Sequence, residues 1–320
     1  MLEHALLGET ARRRVTLLAA AAALLVPAVA VVASAASAPN DAREVAFVRF
    51  DAHSGRLRIF TTRFSGGPAK PLALPVPNAQ SPVWSPDGRL LAFVGGSGAS
   101  EARNVSGEID LYVAAPDGSR ARRLTHGAAP EAAPAWAPDG KRLAFVRPAP
   151  TGNRSSLWLV GADGRGAHRL TFGNTDLEPA WSPRGDRIVF IRITPRFESG
   201  IWEIRPDGSG LRRFLPGLQG ATDPVWSPDG SRLLLSDGRT LFTIRPDGGG
   251  RRTVTRLMSD ANGGREDPQP AWSPGGSIVF CQLRPGVLQR SDLWVVSPSG
   301  SRLRRLTLSP TLDTDPSTRP

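Results

Sequence analysis

The chain reads as short apolar runs punctuated by glycine and proline, with strand-like alternation inside the runs. The clearest copies are "SPVWSPDGRLLAFV" (81 to 94), "APAWAPDGKRLAFV" (133 to 146), "EPAWSPRGDRIVFI" (178 to 191), "DPVWSPDGSRLLLS" (223 to 236) and "QPAWSPGGSIVFC" (269 to 281). Their tryptophans, Trp84, Trp136, Trp181, Trp226 and Trp272, lie 52, 45, 45 and 46 residues apart. Self-similarity at such a period belongs to propellers and solenoids. After each copy comes a run with an aromatic residue, such as "SLWLV" or "DLWVV", and then a basic run such as "RARRLT" or "RLRRLT". Short runs rich in Val, Ile, Leu and aromatics, bounded by turn signals, are strands. Each unit therefore predicts four strands: a (Val-Trp-Ser), b (Leu-Ala-Phe-Val), c (Leu-Trp-x-Val) and d (Arg-Arg-Leu-Thr), the layout of a propeller blade. A helical solenoid is excluded, because no segment after residue 40 sustains a 3.6-residue apolar period through its prolines. A two-sheet sandwich would match the strand content but would not explain the regular repeat.

The ends of the chain set the blade count. "EVAFVRFDAHSGRLRIFTTRFSGGPAKPLAL" (44 to 74) supplies strands b, c and d with no Trp phrase ahead of it. "DTDPSTRP" (313 to 320) aligns with "DLEPAWSP" (176 to 183), with Thr318 where the Trp would stand. Five whole units and two halves predict an all-β, six-bladed propeller over residues 41–320, its first blade completed by the C-terminal strand. Such closure leaves no unpaired junction.

The Trp-Ser-Pro-Asp-Gly phrase, the following "LAFV" and the "DGSxxRRLT" ending resemble the repeats of the TolB-type six-bladed β-propellers, a WD40-like repeat family. The likeness covers about residues 44 to 320 and is much more specific for fold than for function. It extends to the propeller only, and the small α/β domain that precedes the propeller in TolB is not expected in these 320 residues.

Asp229 in "WSPDG" invites reading as a ligand or a catalytic acid. Its equivalents are Asp87 and Asp139, but Arg184 and Gly275 occupy the same place in two other copies. Ser-Pro-Asp-Gly also fits a tight turn, with Pro presetting φ and Gly accepting φ > 0. The turn reading is preferred. The tryptophans are expected in the core between blades. The d-strand arginines, including Arg122-Arg123 and Arg304-Arg305, are expected at outer blade edges, where charge blocks edge-to-edge pairing; a rim of arginines could also hold an anionic envelope polymer.

The formal net charge is +11, which favours anionic partners without bearing on the fold. Cys281 is alone, so neither an intrachain disulfide nor a Cys-rich zinc pattern is available, and His4, His53, His126 and His168 are dispersed. Ahead of the repeats, Arg12-Arg13-Arg14 precede a 19-residue apolar run from Val15 to Ala33. Residues 1–40 are therefore expected to form an export helix that sends the rest out of the cytoplasm, to a periplasmic or secreted location. Ala33-Ser34-Ala35 and Ala36-Ser37-Ala38 offer cleavage sites, whereas the run length approaches that of a spanning anchor. Signal peptide and membrane tether through residues 15–33 both stay open. Export argues against nucleic acid as a partner.

In a propeller the Ser-Pro-Asp-Gly and c–d turns share one face, and the b–c and d–a connections share the other. That second face carries the irregular loops, where binding usually resides. It also carries Glu131, Asp176, Glu178, Asp223, Glu266, Asp267, Asp313 and Asp315 just ahead of the inner strands. The family resemblance implies that a channel mouth lined by such carboxylates takes a cation such as calcium or a basic peptide segment. Ordinary backbone capping is the alternative. The expected function is a monomeric, non-catalytic scaffold, without a required cofactor, that binds a protein or anionic envelope component. The alternative is a metal-dependent propeller enzyme, a lyase or lactone hydrolase with its site at the channel mouth. A serine hydrolase is not expected, since no G-x-S-x-G elbow is present.

Overall fold

The structure, a computed structural model, describes residues 44–51, 54–96, 109–127, 129–149, 154–258, 268–284 and 290–320. The expected export helix and tether lie outside the described residues. Within them the chain forms six four-stranded antiparallel sheets and no helix. The inner, or a, strands are β4 (Gln80–Trp84), β8 (Ala132–Trp136), β12 (Thr175–Trp181), β16 (Thr222–Trp226), β20 (Ala271–Trp272) and β24 (Asp313–Thr318). Blades 2 to 6 each run outward in chain order from β4, β8, β12, β16 and β20.

Blade 1 is built from both ends of the chain, as the repeat count predicts. β24 pairs with β1 (Glu44–Asp51), which continues into β2 (Arg56–Arg63) and β3 (Lys70–Pro71). Val45 faces Thr318 and Ala46 faces Ser317. Thr318, in the Trp position, donates its hydroxyl to the Trp272 carbonyl at 2.7 Å. Ser317 accepts the Trp84 backbone N–H at 3.2 Å, and the Arg319 guanidinium sits 5.0 Å from the Trp84 ring centroid. The last strand thus ties blade 6 to blade 2 as well as completing blade 1.

Every a strand has a proline two residues before its Trp or Thr: Pro82, Pro134, Pro179, Pro224, Pro270 and Pro316. Proline has no N–H for the ladder and settles at bulges. The pairing shifts register there in β4, β8, β12 and β16, and β24 shifts against β1. The residue before each proline takes a left-handed φ: Ser81 53°, Ala133 50°, Glu178 52°, Asp223 56°, Gln269 42° and Asp315 49°. These positions form one six-membered ring of strained backbone around the channel.

The core lies between blades. The b-strand residues Phe47, Phe93, Phe145, Phe190 and Phe280 are fully buried, and the five a-strand tryptophans are 1–4% exposed. Adjacent blades also meet through the c–d turns. A Cβ on Gly118 would lie 2.7 Å from the Ala73 carbonyl oxygen, and one on Gly300 2.5 Å from that of Val254. Both glycines also have φ above +80°, so the turn needs glycine for conformation and for close approach. The d-strand arginines join the same seam: Arg122 donates to the Ala162 carbonyl at 2.7 Å, and Arg304 donates to that of Phe64 in the next blade. At these two positions the basic edge is an inter-blade clamp.

Candidate functional site

Because the four strands of a blade alternate in direction, the faces separate as expected. The turn beginning at Ser227 lies on one, here the plain face. There Asp229 accepts the Ser227 hydroxyl at 2.6 Å, the Ser231 hydroxyl at 2.7 Å and the Ser231 N–H at 3.1 Å. Those bonds hold its carboxyl below the usual range. In the copy with Arg184, Asp186 takes over and accepts the Ser182 hydroxyl at 2.6 Å. Asp229 is a turn residue.

The loop face receives the acids expected at the channel mouth, and the structure sorts them into two groups. Glu131, Asp176 and Asp313 stand five residues before Trp136, Trp181 and Thr318. Each meets an arginine two residues after the b-strand Phe of its own blade. Asp176 binds Arg192 through both oxygens at 2.7 and 2.8 Å, with both side chains buried. Asp313 binds Arg49 in the same way at 2.6 and 2.8 Å. Glu131 is held by Arg147, at 3.1 Å through Nε, and by the Thr125 hydroxyl and the Leu111 N–H. Burial pushes the Glu131 carboxyl upward, against the pull of Thr125 and Arg147. Each arginine also lies over aromatic rings: Arg147 is 4.2 Å from the Trp158 centroid, and Arg192 is 5.0 Å from that of Trp202. The three carboxylates are committed to a repeated acid–arginine–aromatic stack, the arrangement by which buried charges are tolerated. Sequence reasoning missed the arginines, although Arg two residues after Phe recurs at 49, 147 and 192.

Glu178, Asp223 and Asp315 belong instead to the strained ring. Glu178 Oε2 accepts the Asp223 N–H at 2.7 Å, and Gln269 Oε1 accepts the Asp315 N–H at 2.9 Å. The long side chain of one blade reaches the next blade's backbone, while Asp223 accepts the Thr222 hydroxyl at 2.7 Å. All four side chains are buried. Left-handed non-glycine backbone costs about 1–3 kcal/mol per residue. Ser81 and Ala133 complete the ring, so its acidic character is confined to one arc. Glu266 and Asp267 lie outside the described residues. Among the described residues no group of three or more His, Cys, Asp or Glu is arranged to hold a metal ion.

Around this ring the loop face exposes four large apolar side chains, set among charged ones such as Arg154, Arg169 and Arg196. Phe172 and Leu308 are 65% and 67% exposed, in equivalent positions just past strand d of blades 3 and 6. Phe197 and Met258 are each 42% exposed on the same face. Arg154, Thr175, Ile193, Pro195 and Phe197 line a cavity of about 230 Å³ between blades 3 and 4. Arg154, Ile193, Pro195 and Phe197 belong to the irregular loops expected to carry binding, whereas no sequence signal singled out Phe172, Met258 or Leu308.

A family model described as TolB beta propeller domain matches residues 20–262. The protein TolB homolog of Chlorobium luteolum is 30% identical over 258 residues, covering 69% of this chain and 58% of that protein. The Tol-Pal system protein TolB of Anaeromyxobacter dehalogenans is 35% identical over 120 residues, 37% of this chain and 26% of that protein. The chain thus spans between about a quarter and three-fifths of the length of these relatives. Among solved structures, TolB from Acinetobacter baumannii superposes with a TM-score of 0.69 at 17% identity, over 88% of this chain and 68% of that one. An oligogalacturonate lyase in complex with manganese shares the fold at TM-score 0.52 and 15% identity, over 79% and 85% of the two chains.

Proposed function

The chain belongs to the TolB β-propeller domain family, and on that premise we propose that it is an exported, non-catalytic scaffold that binds a cell-envelope protein through its loop face. The observation that carries this reading is the set of exposed apolar side chains on that face. Four of the six exposed large hydrophobics among the described residues, Phe172, Phe197, Met258 and Leu308, lie on the loop face around the channel. Exposed aromatic and aliphatic side chains on rigid connections are the anchors that protein interfaces use. The channel arc of Glu178, Asp223 and Asp315 adds negative charge suited to a basic segment of the partner. The relatives named Tol-Pal system protein make a component of a Tol-Pal-type assembly the first partner to test.

The metal-dependent lyase or lactone hydrolase reading draws on the same carboxylates. Glu131, Asp176 and Asp313 are engaged by arginines, which leaves a hydrolytic reading fewer acids at the mouth. In the test, a photo-crosslinker at Phe172 should capture a single envelope protein in saturable fashion. Leu308→Asp in the same chain should abolish capture. Turnover of oligogalacturonate or a sugar lactone by the purified protein, undiminished by Phe172→Asp, would replace the scaffold reading with the enzymatic one.

A further inference from the structure

Phe197 has φ 61° in the loop-face connection that leaves β13 (Ile188–Ile193), a left-handed backbone that bulky side chains avoid. The turn around it is pinned. Phe197 donates its N–H to the Thr194 carbonyl at 2.8 Å, and Thr194 donates its own to the Glu198 carbonyl at 2.9 Å. Glycine would take this conformation without strain, yet the position carries an aromatic ring that is 42% exposed. Strained backbone of this kind collects at ligand clamps.

That ring lines the cavity between blades 3 and 4. Thr175 and Ile193, which face each other across their strand pair, form its buried lining, and Arg154 reaches it from blade 3. The adjacent cross-strand pair is Asp176 with Arg192, whose charges cancel. Arg154 is exposed and enters no ion pair among the described residues. Two more exposed cations, Arg169 and Arg196, stand on the same rim. Arg169 donates to the Thr171 carbonyl at 2.8 Å and the Ser156 hydroxyl at 2.6 Å, and it lies 4.7 Å from the Phe172 ring centroid. Glu198 is the exposed acid of this turn, so the rim keeps a positive excess. The cavity volume of about 230 Å³ is below the roughly 300–1,000 Å³ of small-molecule sites and suits a single large side chain.

We propose that this cavity is the anchor pocket of the loop face, and that it receives an aromatic side chain of the partner whose neighbouring carboxylate pairs with Arg154. The pocket's role rests on the scaffold reading above and gives the partner's segment a chemistry, aromatic and acidic. Phe197 meets the incoming ring, Ile193 and Pro195 help to take it out of water, and the Arg154 guanidinium holds the acid. The channel arc of Glu178, Asp223 and Asp315 suits the opposite charge. A partner carrying both an acidic aromatic segment and a basic one therefore seats on this face in one orientation.

The test titrates the full chain into short synthetic peptides that carry a fluorinated phenylalanine, read by fluorine NMR. A peptide with Asp beside the fluorinated residue and an amidated end should shift and broaden. The same peptide with Lys in place of Asp should bind at least about tenfold more weakly. A third peptide, without Asp but ending in the fluorinated residue as a free carboxylate, tells a partner's C-terminus from an internal acid as the source of the charge. Phe197→Gly should abolish binding without lowering the unfolding midpoint, because glycine accepts φ 61°. Arg154→Gln should weaken the Asp peptide roughly tenfold and leave the Lys peptide unchanged. Leu308→Asp, in blade 6, should alter neither. Equal affinity for the Asp and Lys peptides, or unchanged binding by Phe197→Gly, would overturn the proposal. So would the absence of any peptide shift in a chain whose Phe172 crosslinker still captures an envelope protein, an outcome that leaves the scaffold reading standing. No shift together with no capture would remove both.

Discussion

Arg192 grips Asp176 with two charge-assisted hydrogen bonds while both side chains are out of water. Removing one partner strands a buried charge, so Asp176→Ala should cost about 3–5 kcal/mol, whereas the double change Asp176→Leu with Arg192→Met should recover most of it. Urea unfolding of the three proteins checks this. Asp229 should behave differently. Its carboxyl is held below the ordinary range by Ser227 and Ser231, so its contribution is complete above the unfolded value near 3.8 and is lost as pH falls through the folded value. Asp229→Asn should lower stability by no more than about 1.5 kcal/mol near neutral pH. The gap to the parent protein should close in strong acid, and partner binding should not change. The turn role of Asp229 was legible because five copies could be compared and two of them lack the acid. The pairing of Asp176 with Arg192 was not, since it joins positions 16 residues apart across a strand pair and recurs in only three blades.

At the scale of elements, the strand assignment followed from alternation and turn residues, and the closure from one degraded copy of the repeat. "DTDPSTRP" keeps the proline and loses the tryptophan, yet Thr318 and Ser317 still reach Trp272 and the Trp84 backbone. Deleting residues 313–320 would leave β1 as an open edge inside the ring. The melting temperature should then fall by more than about 10 °C, and a synthetic peptide of residues 313–320 added in excess should restore part of it. An unchanged melting temperature would mean that the ring closes by another route. The ring of left-handed residues went unseen in the repeat, although a proline two residues before each Trp or Thr marks all six positions. A ladder donor lost to proline, and the bulge it causes, is a local signal that hydrophobic patterning does not register.

At the scale of the whole molecule, the repeat divides the work between two faces. Five near-identical a–b turns lie on the plain face, and the departures from the repeat gather on the other. The exposed Phe172 and Leu308 could not be read from sequence, because exposure of a residue just past strand d depends on how neighbouring blades cover it. The net charge was readable, but which arginines find buried carboxylates, as Arg192 finds Asp176, was not. The central claim is that partner recognition belongs to the loop face. Hydrogen exchange of the full chain, measured with and without a Tol-Pal-type partner that it captures, tests this most directly. Protection should appear around Phe172, Phe197, Met258 and Leu308, with none at the turns spanning 85–89 and 227–231. Protection confined to those turns, with the loop face exchanging as in the free protein, would contradict it.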